Sequence, residues 1–126
     1  MGKGSYVKGA SRERELKHIL EEKGYYVLRS GKSGVDGYSP DLIALRTTNK
    51  MAIECKAIEK NNLYLEKDKV EIYRGWEKIT GLPVYVAWRR NRMDWKFFPL
   101  NMLKELNQSY VVSEDDYNIG MGLENF

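Results

Sequence analysis

The chain has 126 residues, of which 42% are hydrophobic and 12% aromatic, so one domain with a buried core is expected rather than disorder. No apolar run approaches the ~20 residues of a membrane-spanning helix, and the N-terminus lacks the apolar centre of a signal peptide. The single cysteine, Cys55, excludes an internal disulfide and a cysteine-rich zinc site, so we expect a soluble intracellular domain spanning residues 1–126.

The charge is unevenly distributed along the chain, although the net value is only +3. All 21 basic residues lie before residue 105, whereas residues 105–126 carry five acidic residues and no basic ones. The basic residues are grouped near the N-terminus, at positions 29–32 and at positions 89–96. A surface of this kind attracts a polyanion with salt-sensitive affinity, so the charge admits nucleic acid as a partner as readily as it fits an ordinary solvated surface.

The first predicted helix covers residues 11–23. Ser11 is a suitable N-cap, Gly24 ends the helical pattern, and the apolar residues between them recur at helical spacing. Residues 1–10 are rich in glycine and lysine and are predicted to form a flexible basic arm ahead of this helix.

A strand, a loop and a hairpin are predicted next. Residues 25–29 form a short strand, and the three glycines and the proline of residues 30–40 predict a loop. Two apolar runs, residues 41–46 and 51–56, flank a polar turn and predict an antiparallel hairpin.

The second half of the chain begins with a predicted helix at residues 67–79, ended by Gly81 and Pro83. Residues 84–88 are nearly all apolar, which is typical of a central strand covered on both faces. The remaining predicted elements are strands at 63–65 and 95–98, a short helix at 101–106, an edge strand at 110–112, and an acidic tail at 113–126 that begins with a helical turn after Ser113. This order of elements predicts an α/β fold with a helix on each side of the sheet.

Three charged residues stand out at the ends of the hairpin strands. Side chains alternate along a strand, so Glu54 and Lys56 share one face while Cys55 points the other way, into apolar packing. Antiparallel pairing brings Asp41 beside Glu54, and two adjacent carboxylates repel each other unless a cation holds them together.

A hard divalent ion such as Mg²⁺ takes oxygen ligands and would relieve this repulsion. With the ammonium of Lys56 beside the two carboxylates, the pattern indicates metal-assisted phosphodiester hydrolysis. The ordinary alternative is a turn aspartate near an exposed ion pair worth ~0.2–1 kcal/mol.

These residues also resemble a known family. Pro40-Asp41 followed by Glu54-Cys55-Lys56 resembles the PD-(D/E)xK motif of the restriction-endonuclease-like nucleases. The surrounding segments resemble more specifically the archaeal Holliday-junction resolvases, the Hjc and Hje group, over roughly residues 3–100. The segments that carry this resemblance are GASRERELKHILEEKGYYVLRSGKSG, PDLIAL, AIECKA and NNLYL.

The resemblance implies a restriction-endonuclease-like fold, with a central mixed sheet flanked by helices, and a set of catalytic residues. It implies that Asp41 and Glu54 bind Mg²⁺, that Mn²⁺ substitutes for it, and that Lys56 is the catalytic lysine. Glu13 lies where the family has a further catalytic carboxylate and is expected to bind the metal as well. Ser30 is expected to contact the DNA or the scissile phosphate.

Residues outside the motif are expected to contact DNA, and Lys69 among them departs from the pattern of the relatives, which often carry a glutamine there. The residues expected to bind DNA are Lys8, Arg12, Arg14, Arg29, Ser30, Lys32 and Lys69. Four aromatic residues suit a core or a subunit interface better than base stacking, namely Tyr73, Trp76, Trp88 and Trp95.

The expected function is a structure-selective endonuclease that resolves four-way DNA junctions by paired, metal-dependent cuts. Two cuts require a homodimer, with its interface expected on apolar surface of the second helix or of the sheet edge, near Trp76 and the C-terminal third. The alternatives are another nuclease of the same fold acting on duplex or damaged DNA, and a non-catalytic DNA-binding module. No membrane partner is expected, repair or sliding-clamp partners stay open, and the expected location is the nucleoid in the cytoplasm.

Overall fold

A computed structural model of the protein describes residues 2–30 and 39–126, except for the side chains of residues 2–8. Its helices and strands, in chain order, are α1 (Gly2–Glu22), β1 (Tyr26–Arg29), β2 (Leu42–Arg46), β3 (Asn49–Lys56), β4 (Asn62–Glu66), α2 (Lys67–Thr80), β5 (Val84–Trp88), β6 (Lys96–Pro99), β7 (Lys104–Glu105), β8 (Ser109–Ser113), α3 (Glu114–Tyr117) and β9 (Met121–Gly122). The predicted α/β class is confirmed. No helix in the described part of the chain is long and apolar enough to cross a membrane.

The strands form two sheets. The larger sheet has the order β1-β2-β3-β5-β6-β9, and within it only β3 and β5 are parallel neighbours. The smaller sheet has the order β4-β8-β7. Since parallel strands need a crossover connection, β4 and α2 occupy the chain between β3 and β5, which puts α2 next to the end of β3.

The core is divided between the two faces of the larger sheet. One apolar cluster joins α1 to the face of β3 that carries Met51 and Ile53, and the other joins α2 to the face that carries Ala52. The prediction of a helix on each side is therefore confirmed. Because side chains alternate along β3, Glu54 lies on the α2 face and Cys55 on the α1 face.

The start of the first helix differs from the prediction. Helix α1 begins at Gly2, so Ser11 lies inside it and does not cap it. Residues 2–10 contain no proline, and the single-residue signal at Ser11 is weak beside a helical pattern that continues through it. The flexibility of residues 1–10 stays a prediction, and the predicted loop falls mostly on residues 31–38, outside the described residues.

Two further predictions in the C-terminal third are wrong. Residues 101–106 do not form a helix, because a 3-10 turn, Leu100–Met102, is followed at once by β7, which pairs with β8. Strand β8 is not an edge strand, since β4 and β7 pair with it on either side. Both errors have one cause: the smaller sheet depends on pairing between segments far apart in sequence, which local patterns do not reveal.

The acidic tail packs against the larger sheet. The predicted helical turn after Ser113 is confirmed as α3, and the Ser113 hydroxyl accepts a hydrogen bond from the Asp116 amide. Strand β9 pairs with β6, and the ring of Phe126 lies against Phe97 with ring centroids 4.6 Å apart. Arg46 donates a hydrogen bond of 2.6 Å to the Phe126 carbonyl, so the end of the tail is held by both apolar and polar contacts.

This packing predicts that the tail contributes to stability. Replacing the buried Phe126 with alanine is expected to lower the free energy of unfolding by about 3 kcal/mol, through lost burial and a residual cavity. The matched control is Ile119→Ala in the same tail, where the side chain is 65% exposed and the expected loss is near zero. Urea denaturation of both variants measures the difference, and equal losses would contradict the assignment of Phe126 to the core.

Candidate active site

Asp41 and Glu54 are brought together by the pairing of β2 with β3. The register sets Leu42 opposite Ile53, and it therefore sets Asp41, just before β2, opposite Glu54. Both acids are buried, with 8% and 3% of their surface exposed. The Cys55 amide donates a 2.8 Å hydrogen bond to Oδ2 of Asp41, which fixes that carboxylate against the end of β3. The predicted juxtaposition of the two carboxylates is thus present.

Two lysines approach Glu54 from different elements. Nζ of Lys56, on β3 itself, lies 3.8 Å from Oε2 of Glu54, and Nζ of Lys69, in the first turn of α2, lies 3.4 Å from the same oxygen. The other oxygen, Oε1, is buried without a hydrogen-bond partner in the described part of the chain, as is the hydroxyl of Tyr73. Glu54 therefore has its charge offset on one side and an unsatisfied acceptor on the other.

Burial, and after it the negative charge of Asp41, raise the pKa of Glu54 to about 7. Lys56, Lys69 and the nearby hydroxyl of Tyr73 oppose this rise in the pKa but do not cancel it. The same burial, together with the charge of Glu54, raises the pKa of Tyr73, so its hydroxyl stays protonated. A carboxylate in this position is at its most stable when a cation is beside it.

Glu13 and Arg29 form an ion pair near the carboxylate of Asp41. Nε of Arg29, at the end of β1, donates a 3.0 Å hydrogen bond to Oε1 of Glu13 on α1. Burial and the charge of Asp41 raise the pKa of Glu13, while Arg29 lowers it. Glu13 is therefore close enough to Asp41 to feel its charge, and Arg29 holds it in place.

The carboxylates of the site provide only some of the oxygen ligands that a hard divalent ion such as Mg²⁺ takes. Across residues 9–30 and 39–126, no three acidic, histidine or cysteine side chains lie close enough together to hold a metal ion. Asp41 and Glu54 fit such an ion, because they are adjacent, buried and oxygen-rich, and because Oε1 of Glu54 has no partner. The role of Glu13 as a third ligand stays a prediction.

The side chain of Cys55 takes no part in the carboxylate cluster, although its backbone amide does. Its side chain packs against the apolar cluster under α1, as predicted, and burial raises the pKa of its thiol well above the usual value. A thiol that stays protonated is a poor nucleophile, and this one lies on the opposite face of β3 from Glu54 and Lys56.

The residues expected to contact DNA lie in different settings. The Ser30 amide donates a 2.8 Å hydrogen bond to the carbonyl of Asp41, which places Ser30 directly beside the site. Arg14 is exposed on α1, whereas Arg12 is paired with Glu15 at 2.6 Å. The side chain of Lys8 and the whole of Lys32 lie outside the described residues.

A basic groove continues from the site along the ends of β3 and β5. The Arg89 amide donates a 2.9 Å hydrogen bond to the carbonyl of Lys56, so the turn after β5 begins beside Lys56. The groove has a volume of about 620 Å³ and is lined by Arg12, Glu59, Arg89, Asn91 and Arg92. Arg89 and Arg92 belong to a basic group that is visible in the sequence, but no role was predicted for them. The signal that could have revealed one is a run of arginines directly after an apolar strand.

Glu15 and Glu59 organise this groove, and sequence reasoning missed both. Glu15 accepts a hydrogen bond from the indole of Trp95 and pairs with Arg12 and Arg89. Glu59 pairs with Arg90 at 3.0 Å. The aromatic residues Tyr73, Trp88 and Trp95 are buried, as their spacing predicted.

Comparison with known proteins identifies the family. The model of the family "archaeal Holliday junction resolvase (Hjc)" matches residues 4–126. The crossover junction endodeoxyribonuclease Hjc of Archaeoglobus fulgidus is 33% identical over 90% of this chain and 85% of its own length. The protein of the same name from Methanocaldococcus jannaschii is 36% identical over 86% of this chain and 78% of its own.

A solved structure agrees with these sequence matches. The structure of Archaeoglobus fulgidus Hjc, described as a Holliday junction resolvase from an archaeal hyperthermophile, superposes with a TM-score of 0.85 at 30% identity. The superposition covers 94% of this chain and 93% of the other. The similarity therefore includes the whole architecture and is not confined to the short motif.

The raised pKa of Glu54 predicts how the stability of the metal-free protein depends on pH. The pKa of this carboxyl is 4.5 in the unfolded chain and about 7 in the fold, so the group stabilises the fold only while it is protonated. Glu54 is therefore expected to contribute about 3 kcal/mol below pH 4.5 that is lost as the pH rises to 7. Urea denaturation in the presence of a chelator measures this loss.

The control for this prediction is Glu54→Gln, which keeps the shape of the side chain and removes the titration. Its stability should fall less than that of the unmodified protein over the same pH range. If both proteins lose the same stability, the charge of Glu54 is fully compensated in the fold and the prediction is wrong.

Proposed function

The chain belongs to the archaeal Holliday junction resolvase (Hjc) family, and from that premise we propose that it is an endonuclease that resolves four-way DNA junctions. The observation that carries the proposal is the buried pair of carboxylates, Asp41 and Glu54, with Nζ of Lys56 3.8 Å from Oε2 of Glu54. A module that only binds DNA gains nothing from two buried carboxylates, since they repel phosphate.

Asp41 and Glu54 are the residues that would hold Mg²⁺, with Mn²⁺ as a substitute. When bound, such an ion supplies positive charge for the phosphoryl oxygens and lowers the pKa of a coordinated water. The hydrogen bond from the Cys55 amide would hold Asp41 in place at the end of β3 while it does so. Lys56 donates a hydrogen bond from Nζ to a non-bridging phosphate oxygen, where negative charge grows as water adds to phosphorus and the ester bond breaks.

The basic groove gives the DNA backbone a path away from the scissile bond. Arg89 and Arg92 lie on the turn that begins beside Lys56, and Arg12 faces them from α1. Contacts of this kind follow phosphates and carry no base sequence, so junction selectivity would come from the shape of the bent arms. Two more candidates for contact with DNA lie near the site: Ser30, whose amide bonds to the Asp41 carbonyl, and the exposed Arg14, whose charge lowers the pKa of Glu13.

Two symmetric cuts require two sites, and each chain holds one. We propose a two-fold homodimer whose interface includes the outer face of α2, where Ile79 is 88% exposed one turn beyond the half-buried Trp76. An exposed isoleucine beside a partly covered tryptophan is a suitable start for a self-complementary apolar contact. Action on chromosomal DNA would place the protein with the nucleoid in the cytoplasm.

Removing the charge of one site carboxylate tests the chemistry. Asp41→Asn keeps the shape of the side chain, so we expect junction binding to be retained and cleavage in Mg²⁺ to fall by about 100-fold or more. Gel-shift and single-turnover cleavage of a labelled junction measure the two properties separately. The control Asp115→Asn removes an exposed acid of α3 and should cleave normally.

The same assay separates junction resolution from other nuclease activity. A linear duplex of identical sequence, at the same concentration, should be cut far more slowly than the junction. Equal cleavage of both substrates would favour a general duplex nuclease. Undiminished cleavage by Asp41→Asn would contradict the assignment of the site.

The dimer makes a separate prediction. Ile79→Glu places a charge on the proposed contact without disturbing the core, because Ile79 is exposed in the single chain. It should shift the protein towards monomer in sedimentation experiments and leave junctions nicked on one strand. Thr48→Glu, on the exposed turn between β2 and β3, is the control and should stay dimeric. A variant at Ile79 that remains dimeric would exclude this face as the interface.

A further inference from the structure

Helix α2 brings a second lysine to the carboxylate pair. Nζ of Lys69 lies 3.4 Å from Oε2 of Glu54, closer than Nζ of Lys56 at 3.8 Å. Tyr73 is one helical turn further on the same side of α2, and its hydroxyl also lies near Glu54. The first turns of α2 therefore place an ammonium and a hydroxyl over a carboxylate that belongs to β3.

The charges of this cluster balance without any added ion. When both are ionised, the carboxylates of Asp41 and Glu54 carry two negative charges, and the ammonium groups of Lys56 and Lys69 carry two positive ones. A divalent cation at the same carboxylates would leave two uncompensated positive charges within a few ångströms of each other. One of the two ammonium groups would then be repelled from Oε2.

Lys69 is better able to withdraw than Lys56. The backbone of Lys56 is paired with β5, opposite Trp88, and its carbonyl accepts a hydrogen bond from the Arg89 amide. The Lys69 side chain extends from the first turn of a helix at the rim of the site. Its exposed fraction, 35%, is close to the 33% of Lys56, so the two lysines differ in how their backbones are held rather than in exposure. A small rotation about its side-chain bonds would carry its ammonium into solvent with little disturbance of the fold.

We propose that Lys69 is a built-in counter-ion of Glu54 that occupies the place of a divalent cation and is displaced when one binds. The ammonium stabilises the metal-free site and lowers its affinity for the cation. Once displaced, it stands at the rim of the site, where a DNA phosphate is its natural partner. This last step rests on the proposed function, whereas the competition with the cation does not.

Metal binding without DNA tests the competition directly. The probe is Mn²⁺, titrated into the full chain and followed by calorimetry. Lys69→Met removes the charge and keeps the apolar stem, and it should bind Mn²⁺ about tenfold more tightly than the unmodified protein. Lys69→Arg keeps the charge and should stay within about twofold of it.

Thermal unfolding in a chelator gives a second readout. The metal-free Lys69→Met protein should melt at a lower temperature than the unmodified protein, and saturating Mn²⁺ should reduce or reverse the difference. The control Lys67→Met alters a neighbouring lysine whose ammonium bonds to the Leu106 carbonyl and Glu105, and it should leave Mn²⁺ affinity unchanged. If Lys69→Met does not fold, Lys69→Gln replaces it, since it also removes the charge.

Equal or weaker Mn²⁺ binding by the neutral variant would overturn the proposal. Because no DNA is present, this result would not bear on junction cleavage, and a protein that fails to cut junctions could still show the competition. The phosphate contact is tested by junction binding in Ca²⁺ at several salt concentrations. The slope of log affinity against log salt concentration should be steeper by about one for the unmodified protein than for Lys69→Met. Equal slopes would exclude the contact.

Discussion

The site depends on two carboxylates that are buried side by side. Their proximity follows from a single register, Leu42 opposite Ile53, which leaves Asp41 and Glu54 facing each other at the ends of β2 and β3. Burying one such charge is unfavourable, and burying two next to each other is more so, unless cations or hydrogen-bond donors compensate them. The surrounding structure supplies that compensation from two elements: β3 provides an amide and a lysine, and α2 provides a second lysine.

The scaffold explains why these groups can meet. Helices α1 and α2 pack on opposite faces of the larger sheet, so the end of β3 is approached from both sides. Helix α1 contributes Glu13, which Arg29 of β1 holds near Asp41, and α2 contributes Lys69 and Tyr73. The parallel neighbour β5 ends at the same edge and leads into Arg89, which continues the positive charge into the groove. A phosphodiester lying along this edge would meet acids at its centre and arginines on its flank.

A structural feature could be predicted from the sequence where it is set by residues close together in the chain, and could not be predicted where it joins distant segments. The hairpin motif was visible because the strand alternation and a short turn decide which side chains share a face. Helix α2 was predicted over 67–79 and ends at Thr80, with Gly81 in the left-handed conformation at its C-cap, because capping is also a local property. The smaller sheet was not predicted as a sheet, since β4 and β8 are separated by α2, β5 and β6 and meet only when the chain is folded.

The sequence by itself therefore determined the α/β class, the family resemblance and the positions of Asp41, Glu54 and Lys56, all of which follow from short-range spacing. Three sets of contacts were decided only by the tertiary structure. Arg29 is paired with Glu13 rather than left for a phosphate, and Lys69 is paired with Glu54. Glu15 contacts three residues, namely Arg12, Arg89 and Trp95. Each of these contacts depends on the angle at which a helix packs on the sheet and on the rotamer of a long side chain. Neither quantity leaves a periodic trace in the sequence, because both are set by packing between residues distant along the chain.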